Sequence, residues 1–180
     1  MGVVHQGAPV IYTVTAGHGG SDPGAVAHGA QEAALMTELR NVIRHKLEAA
    51  GHKVRTDGMR LANLPLVHAL TLVPGSAVAI ELHTNAFTNP AATGVECISM
   101  PEQKARAQRI AAGIARVLEI PLRGDRGWID QRQSARGRLA FVRVGGIVVE
   151  TFFISNPMDL HKYDQRKWLV ASAIVEAMTS

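Results

Sequence analysis

The sequence predicts an α/β layered fold with a mainly parallel or mixed sheet. β-Forming runs alternate with amphipathic helical stretches along the whole chain. No repeat, low-complexity tract or Pro/Gly linker divides it, and 180 residues suit a single domain spanning 1–180. With 47% hydrophobic and 19% charged residues, the composition is globular.

The elements run in order. Residues 9–15 form the first β run and lead into a Gly-rich loop, 17–29. Residues 31–50 are predicted helical because Leu35, Leu39, Val42, Ile43 and Leu47 recur on one helix face, and Gly51 supplies the stop. Residues 53–56 read as a short strand and 64–73 as a short apolar helix. The run AVAIELH, 77–83, is a strand, and 94–100 is another, expected near a sheet edge. Residues 102–118 form a second amphipathic helix through Ile110, Ile114, Val117 and Leu118. The stretch 121–138, rich in Gly and Arg, is expected to be irregular. GIVVET, 146–151, is a continuous apolar run suited to a buried strand, and 159–178 forms the last helix.

Composition narrows the functional classes. Lys and Arg total 19 against 15 acids, a balance that favours polyanionic partners. Aromatics are only 4% and no Lys/Arg block occurs, so no nucleic-acid partner is expected. The single cysteine, Cys97, excludes an internal disulfide and a Cys-rich zinc framework, and its apolar strand context marks it as core. No window approaches 18 apolar residues, so no membrane insertion is expected. His5, Gln6 and Gly7 interrupt the N-terminal apolar stretch, which does not read as a secretory signal. The loop after the first strand has Asp22 where a dinucleotide fingerprint needs its third glycine, and no Gly-Lys-Ser/Thr comes after it. A Gly-x-Ser-x-Gly elbow is also missing.

Four polar residues fall at comparable places. His18 comes just after the first strand, Glu32 opens the next helix, His83 ends AVAIELH, and Glu150 lies near the end of GIVVET. Sites in open α/β sheets gather beyond the carboxyl ends of the strands. Two imidazoles and a carboxylate there can supply three zinc ligands and leave a fourth position for water, although singly each is also explained as a solvated loop histidine, a helix-dipole acid or a core histidine. A further carboxylate can then act as general base on that water. Glu150 is flanked by Val148, Val149, Phe152 and Phe153, where a carboxylate is costly to bury without a partner.

The block Gly17-His18-Gly19-Gly20-Ser21-Asp22-Pro23-Gly24-Ala25, then Gly29-Ala30-Gln31-Glu32, resembles the opening of zinc-dependent N-acetylmuramoyl-L-alanine amidases of the amidase-3 type. Further blocks are similar in the same order: Leu82-His83-Thr84-Asn85-Ala86, Gly94-Val95-Glu96, and Val149-Glu150 with Phe153-Ile154-Ser155-Asn156-Pro157 after it. Arg126-Gly127 and Val142-Arg143 resemble two weaker blocks. The chain departs from the family pattern at Thr15-Ala16 and Thr151-Phe152, without losing a ligand.

The resemblance implies a twisted mixed, largely parallel sheet flanked by helices. It implies one Zn2+ per chain held by His18, Glu32 and His83, with Glu150 as catalytic acid/base. The reaction implied is hydrolysis of the amide joining the lactyl group of N-acetylmuramic acid to L-alanine of peptidoglycan stem peptides. Asn85 and Arg126 are candidate substrate contacts. Glu81 replaces the family's usual small residue and shares a strand face with His83, so it either accepts a hydrogen bond from a ligand imidazole or pairs with an arginine. Arg123, Arg126, Arg132, Arg136 and Arg138 are placed to border the cleft or to form a solvated loop. No extra segment intervenes between Asn85 and Gly94, where bacterial relatives carry an autoinhibitory helix, so constitutive activity is expected. A monomeric catalytic domain without a wall-binding module suits a phage endolysin, held in the host cytoplasm until its release to the wall. Alternatives are a periplasmic or extracellular cell-separation or spore-wall amidase domain, another zinc peptidase or amidohydrolase, and a non-catalytic peptidoglycan-binding module.

Overall fold

The computed structural model describes residues 10–134 and 137–180. The chain runs β1 (Ile11–Ala16), a small ribbon of β2 (Val26–Ala27) and β3 (Ala30–Gln31), then α1 (Glu32–Ala49), β4 (Lys53–Arg55) and α2 (Leu66–Leu72). It continues through β5 (Val78–Asn85), β6 (Glu96–Ser99), α3 (Lys104–Leu118), β7 (Trp128–Asp130), α4 (Ala140–Arg143), β8 (Ile147–Phe153) and α5 (Pro157–Thr179). The sheet order is β4-β1-β5-β8-β6-β7. All neighbours are parallel except β6 and β8, so the sheet is mixed and largely parallel, as the sequence leads one to expect.

Three details differ from the sequence expectation. β6 is not an edge strand, because Trp128–Asp130 in the supposedly irregular stretch pairs with it as β7. The end of the Gly-rich loop and the two residues after it form the β2-β3 ribbon, so Gln31 is extended rather than helical, and residues 140–143 form a one-turn helix before β8. All three elements are too short to display a hydrophobic period.

The two faces of the sheet are covered unequally. Alternation sends Val78, Ile80 and Leu82 of β5, with Ile147 and Val149 of β8, toward α1, α3 and α5. Met36, Leu39 and Ile43 of α1, Ile110 and Ile114 of α3, and Val170 and Ile174 of α5 complete that core. The other face has a small cluster in which Ala69 and Val73 from α2 and its end meet Phe141 and Val142 of α4 over Ala79 and Val148. Each fully buried Leu or Ile contributes about 1.5–3 kcal/mol. The three-helix side therefore dominates stability, and the opposite face is left to polar side chains.

A β-bulge shapes that polar face. His83 pairs with Glu150, but Asn85 pairs with Phe153, so two steps on β5 match three on β8. Thr151 and Phe152 consequently both turn toward the helices. The Thr151 hydroxyl lies 3.7 Å from Met36 Sδ, and Phe152 stacks on Tyr163 with centroids 4.6 Å apart. Glu150 and Phe153 share the opposite face with Glu81, His83 and Asn85.

Candidate active site

The site begins where β1 ends. Gly17 N–H donates to the Leu82 carbonyl at 2.8 Å, tying the loop to β5. A Cβ at Gly17 would lie 2.0 Å from His83 Cε1, so only glycine lets the imidazole occupy its position. Gly24 plays the same part for His18, since its Cβ would lie 2.6 Å from His18 Cδ2. Its φ of +66° also favours glycine.

Glu32 is the hub. It opens α1, is 2% exposed, and accepts backbone N–H bonds from Ala25 at 3.0 Å and Thr84 at 2.9 Å. Its Oε2 lies 3.2 Å from His18 Nε2, and its Oε1 lies 3.0 Å from His83 Nδ1. Burial opposes ionisation of Glu32, but its bonds to His18 and His83 outweigh it and hold the carboxyl well below the usual range. Burial likewise opposes charge on His83, yet the Glu32 and Glu81 carboxylates push its pKa up to about 10. His18 is raised by its bond to Glu32, against burial and with help from Asp22.

One potential donor atom from each of His18, Glu32 and His83 lies within 4.8 Å of the others. Two imidazole nitrogens and one carboxylate oxygen at that spacing fit a single small cation, and the borderline donor set suits zinc. Each imidazole has a second carboxylate neighbour. Asp22 Oδ2 lies 2.8 Å from His18 Nδ1, and Glu81 Oε2 lies 3.2 Å from His83 Nε2. Glu81 thus lies beside the His83 imidazole.

A buried network absent from the sequence reading fixes the His18 loop. Arg40 of α1 is fully buried, and its Nη1 donates to Asp57 Oδ1 and Asn63 Oδ1, each at 3.0 Å. Its Nη2 donates to the Ala62 carbonyl at 2.9 Å. Asp57 Oδ2 accepts from Ala16 N–H at 3.1 Å, while the Asn63 amide donates to the carbonyls of Ala16, Gly17 and His18. These bonds grip the residues around His18, whose φ is +60°. Met36, Arg40, Ile43 and Leu47 share one helical face, so a cation in that apolar series is the signal that marks Arg40.

Glu150 is fully buried in mid-strand, in register with both His83 and Glu96. The polar groups thus gather on a sheet face as well as beyond strand ends. Asn85 lines a cleft of about 500 Å³ with Phe87, Glu96, Arg123 and Phe153. A second cleft of about 340 Å³ is bounded by His18, Leu64, Glu81 and His83. Arg126 lines neither. Its exposed side chain leans on Asp125, which Lys104 of α3 also holds at 2.6 Å. Arg123 enters the cleft instead, and Arg136 lies outside the described residues.

Convergent imidazoles and carboxylates on a largely parallel sheet define an α/β domain with a candidate metal centre. Residues 13–180 match the Amidase_3 family, N-acetylmuramoyl-L-alanine amidase, and the chain belongs to that family. It is similar to the N-acetylmuramoyl-L-alanine amidase AmiC of Neisseria meningitidis serogroup B, with 34% identity over 91 residues. That match covers 48% of this chain and 21% of the relative, so the matched part is about a fifth of the relative's length. A crystal structure assigned as an N-acetylmuramoyl-L-alanine amidase from Neisseria meningitidis superposes with a TM-score of 0.85 at 40% identity, covering 94% of each chain. The catalytic domain of CwlV from Bacillus (Paenibacillus) polymyxa gives 0.80 at 19% identity over 94% of this chain and 96% of its own, a likeness of fold.

Proposed function

We propose that this chain hydrolyses the lactyl–L-alanine amide of peptidoglycan, using one zinc ion held by His18, Glu32 and His83. The observation that carries the reading is the meeting of these three donors beside Glu150, which is paired in register with His83. Family membership and 40% identity to the Neisseria structure support the substrate class. When bound, zinc supplies Lewis acidity that polarises an amide carbonyl and acidifies water. Glu150 takes the proton from the attacking water and returns it to the departing alanine nitrogen. Glu81 and Asp22 hold the ligand imidazoles in orientation.

The test is digestion of intact peptidoglycan with identification of the released ends. New L-alanine amino termini that vanish with chelator and return with zinc are expected. Glu150→Gln is expected to keep one zinc per chain while lowering turnover by about 10²–10⁴-fold. Cleavage elsewhere in the stem would replace the substrate assignment and keep the zinc site. Identity to a bacterial structure favours wall remodelling in the periplasm or outside the cell over the endolysin setting. The endolysin CD27L domain, targeting Clostridia difficile, shares the fold at 21% identity.

A further inference from the structure

Two arginines of the 121–138 stretch are engaged by neighbouring acids. Arg132 approaches Asp130 Oδ2 at 2.5 Å, and Arg126 lies 3.5 Å from Asp125. Arg138 lines a separate pocket with Arg143. Arg123 is also paired with an acid, but its side chain lies in the cleft. Its Nε donates to Glu96 Oε2 at 2.7 Å, and its guanidinium carbon sits 5.0 Å from the centre of the Phe153 ring. Glu96 is held in turn by the Asn85 amide at 3.1 Å. A Cβ at Gly94 would lie 2.8 Å from Arg123 Cγ, so that glycine gives the side chain its path. The two terminal amino groups of Arg123 make no hydrogen bond to any described residue, and the side chain lines the 500 Å³ cleft. A guanidinium anchored by one nitrogen and stacked on a ring presents its remaining fork to a carboxylate.

We infer that Arg123 binds a free carboxylate on the second residue of the stem peptide, making the enzyme selective for stems in which that group is not amidated. The inference rests on the amidase reading. Asn85 lies two residues past His83 on one strand face, about 6.6 Å along β5. In the substrate, the α-carboxyl carbon of the second residue lies roughly 6 Å from the cleaved amide nitrogen. A γ-linked glutamate at that position continues the chain through its side chain and leaves the α-carboxylate free. The row holding Asn85 and Phe153, over which Arg123 lies, is therefore offset from the row holding His83 and Glu150 by about that span. Ile98, Ile129 and Phe153 wall the cleft and strengthen a charged hydrogen bond there.

The experiment compares two zinc-supplied muramoyl peptides that differ only in an α-carboxylate or α-amide on the second residue. Wild type is expected to favour the carboxylate by about 10- to 100-fold in kcat/KM, mainly through KM. Arg123→Gln should bring the ratio near one, and Arg123→Lys should restore part of it. If Arg123→Gln does not fold, Arg123→Lys decides, because an undiminished ratio in that variant overturns the inference. Calorimetric binding of the corresponding free peptides to the zinc-loaded protein gives a readout independent of turnover. Equal cleavage of both substrates by wild type overturns the role of Arg123 and leaves the amidase reading standing. No cleavage, with carboxylate-dependent binding that Arg123→Gln abolishes, supports the role of Arg123 and removes the amidase reading. Failure of both cleavage and binding removes both.

Discussion

Replacing Arg40 by methionine tests whether the buried network holds the site. Methionine keeps most of the aliphatic stem, so the change removes charge and hydrogen bonds while largely preserving volume. Arg40 and Asp57 are both fully buried, and the Arg40 Nη1–Asp57 Oδ1 contact is 3.0 Å. Burial already pushes the Asp57 carboxyl above its ordinary range against the pull of Arg40, so removing the cation leaves a carboxylate with little to offset its desolvation. Breaking such a pair costs about 3–5 kcal/mol. At about 2–4 °C per kcal/mol for a chain of this size, Tm should fall by about 6–20 °C. Asn63, which Arg40 also binds, holds the carbonyls from Ala16 to His18, so zinc affinity should fall as well, by about 10- to 100-fold. Thermal unfolding by circular dichroism and titration against a chelating dye give the two numbers. A Tm within about 2 °C of wild type, with unchanged zinc affinity, would refute the reasoning.

Three further outcomes are expected. Glu81→Ser should weaken zinc binding by about 10- to 100-fold, measured by chelator competition, and unchanged affinity and activity would remove Glu81 from the orientation of His83. Gly17→Ala places a methyl group in the space of the His83 imidazole, so Tm should fall by about 2–12 °C and zinc content after dialysis below one per chain; full metal retention would contradict the packing argument. Burial, then the charges of Glu150 and Glu96, push the Cys97 thiol far up, so a disulfide reagent should label it only after unfolding. Rapid labelling of the native chain would show that the β6 core is open.

Much of the fold was legible because helices α1 and α3 are long enough to carry a period and strands β1, β5 and β8 are runs of β-forming or apolar residues long enough to stand out. The features that remained hidden were short or non-local. Trp128–Asp130 becomes a strand because β6 offers it an edge, which no three-residue pattern can announce. Period two correctly placed Glu81 on the side of His83, and that contact exists. It could not anticipate that Phe153 would join them, because the bulge breaks the alternation after Glu150. Arg126 sits in a motif-like Arg-Gly pair yet points to Asp125, whereas Arg123 reaches the cleft through the gap left by Gly94, a contact made across 29 positions. Arg40 looked like one more helix cation because its burial depends on the 57–63 segment folding back over α1.

The extra residue in β8 gives that strand two frames. In the first, Glu150 is counted with His83 and Glu96; in the second, Phe153 is counted with Asn85. Because the slip lies between them, Phe153 and the Arg123 above it can be resized or shifted without disturbing the pairing of Glu150. Loss of Thr151 would leave each phenylalanine on its present side and cost the hydroxyl's 2.8 Å bond to the His83 carbonyl. The half of the strand that carries Glu150 and the half that carries Phe153 are thus free to diverge at different rates within one continuous element.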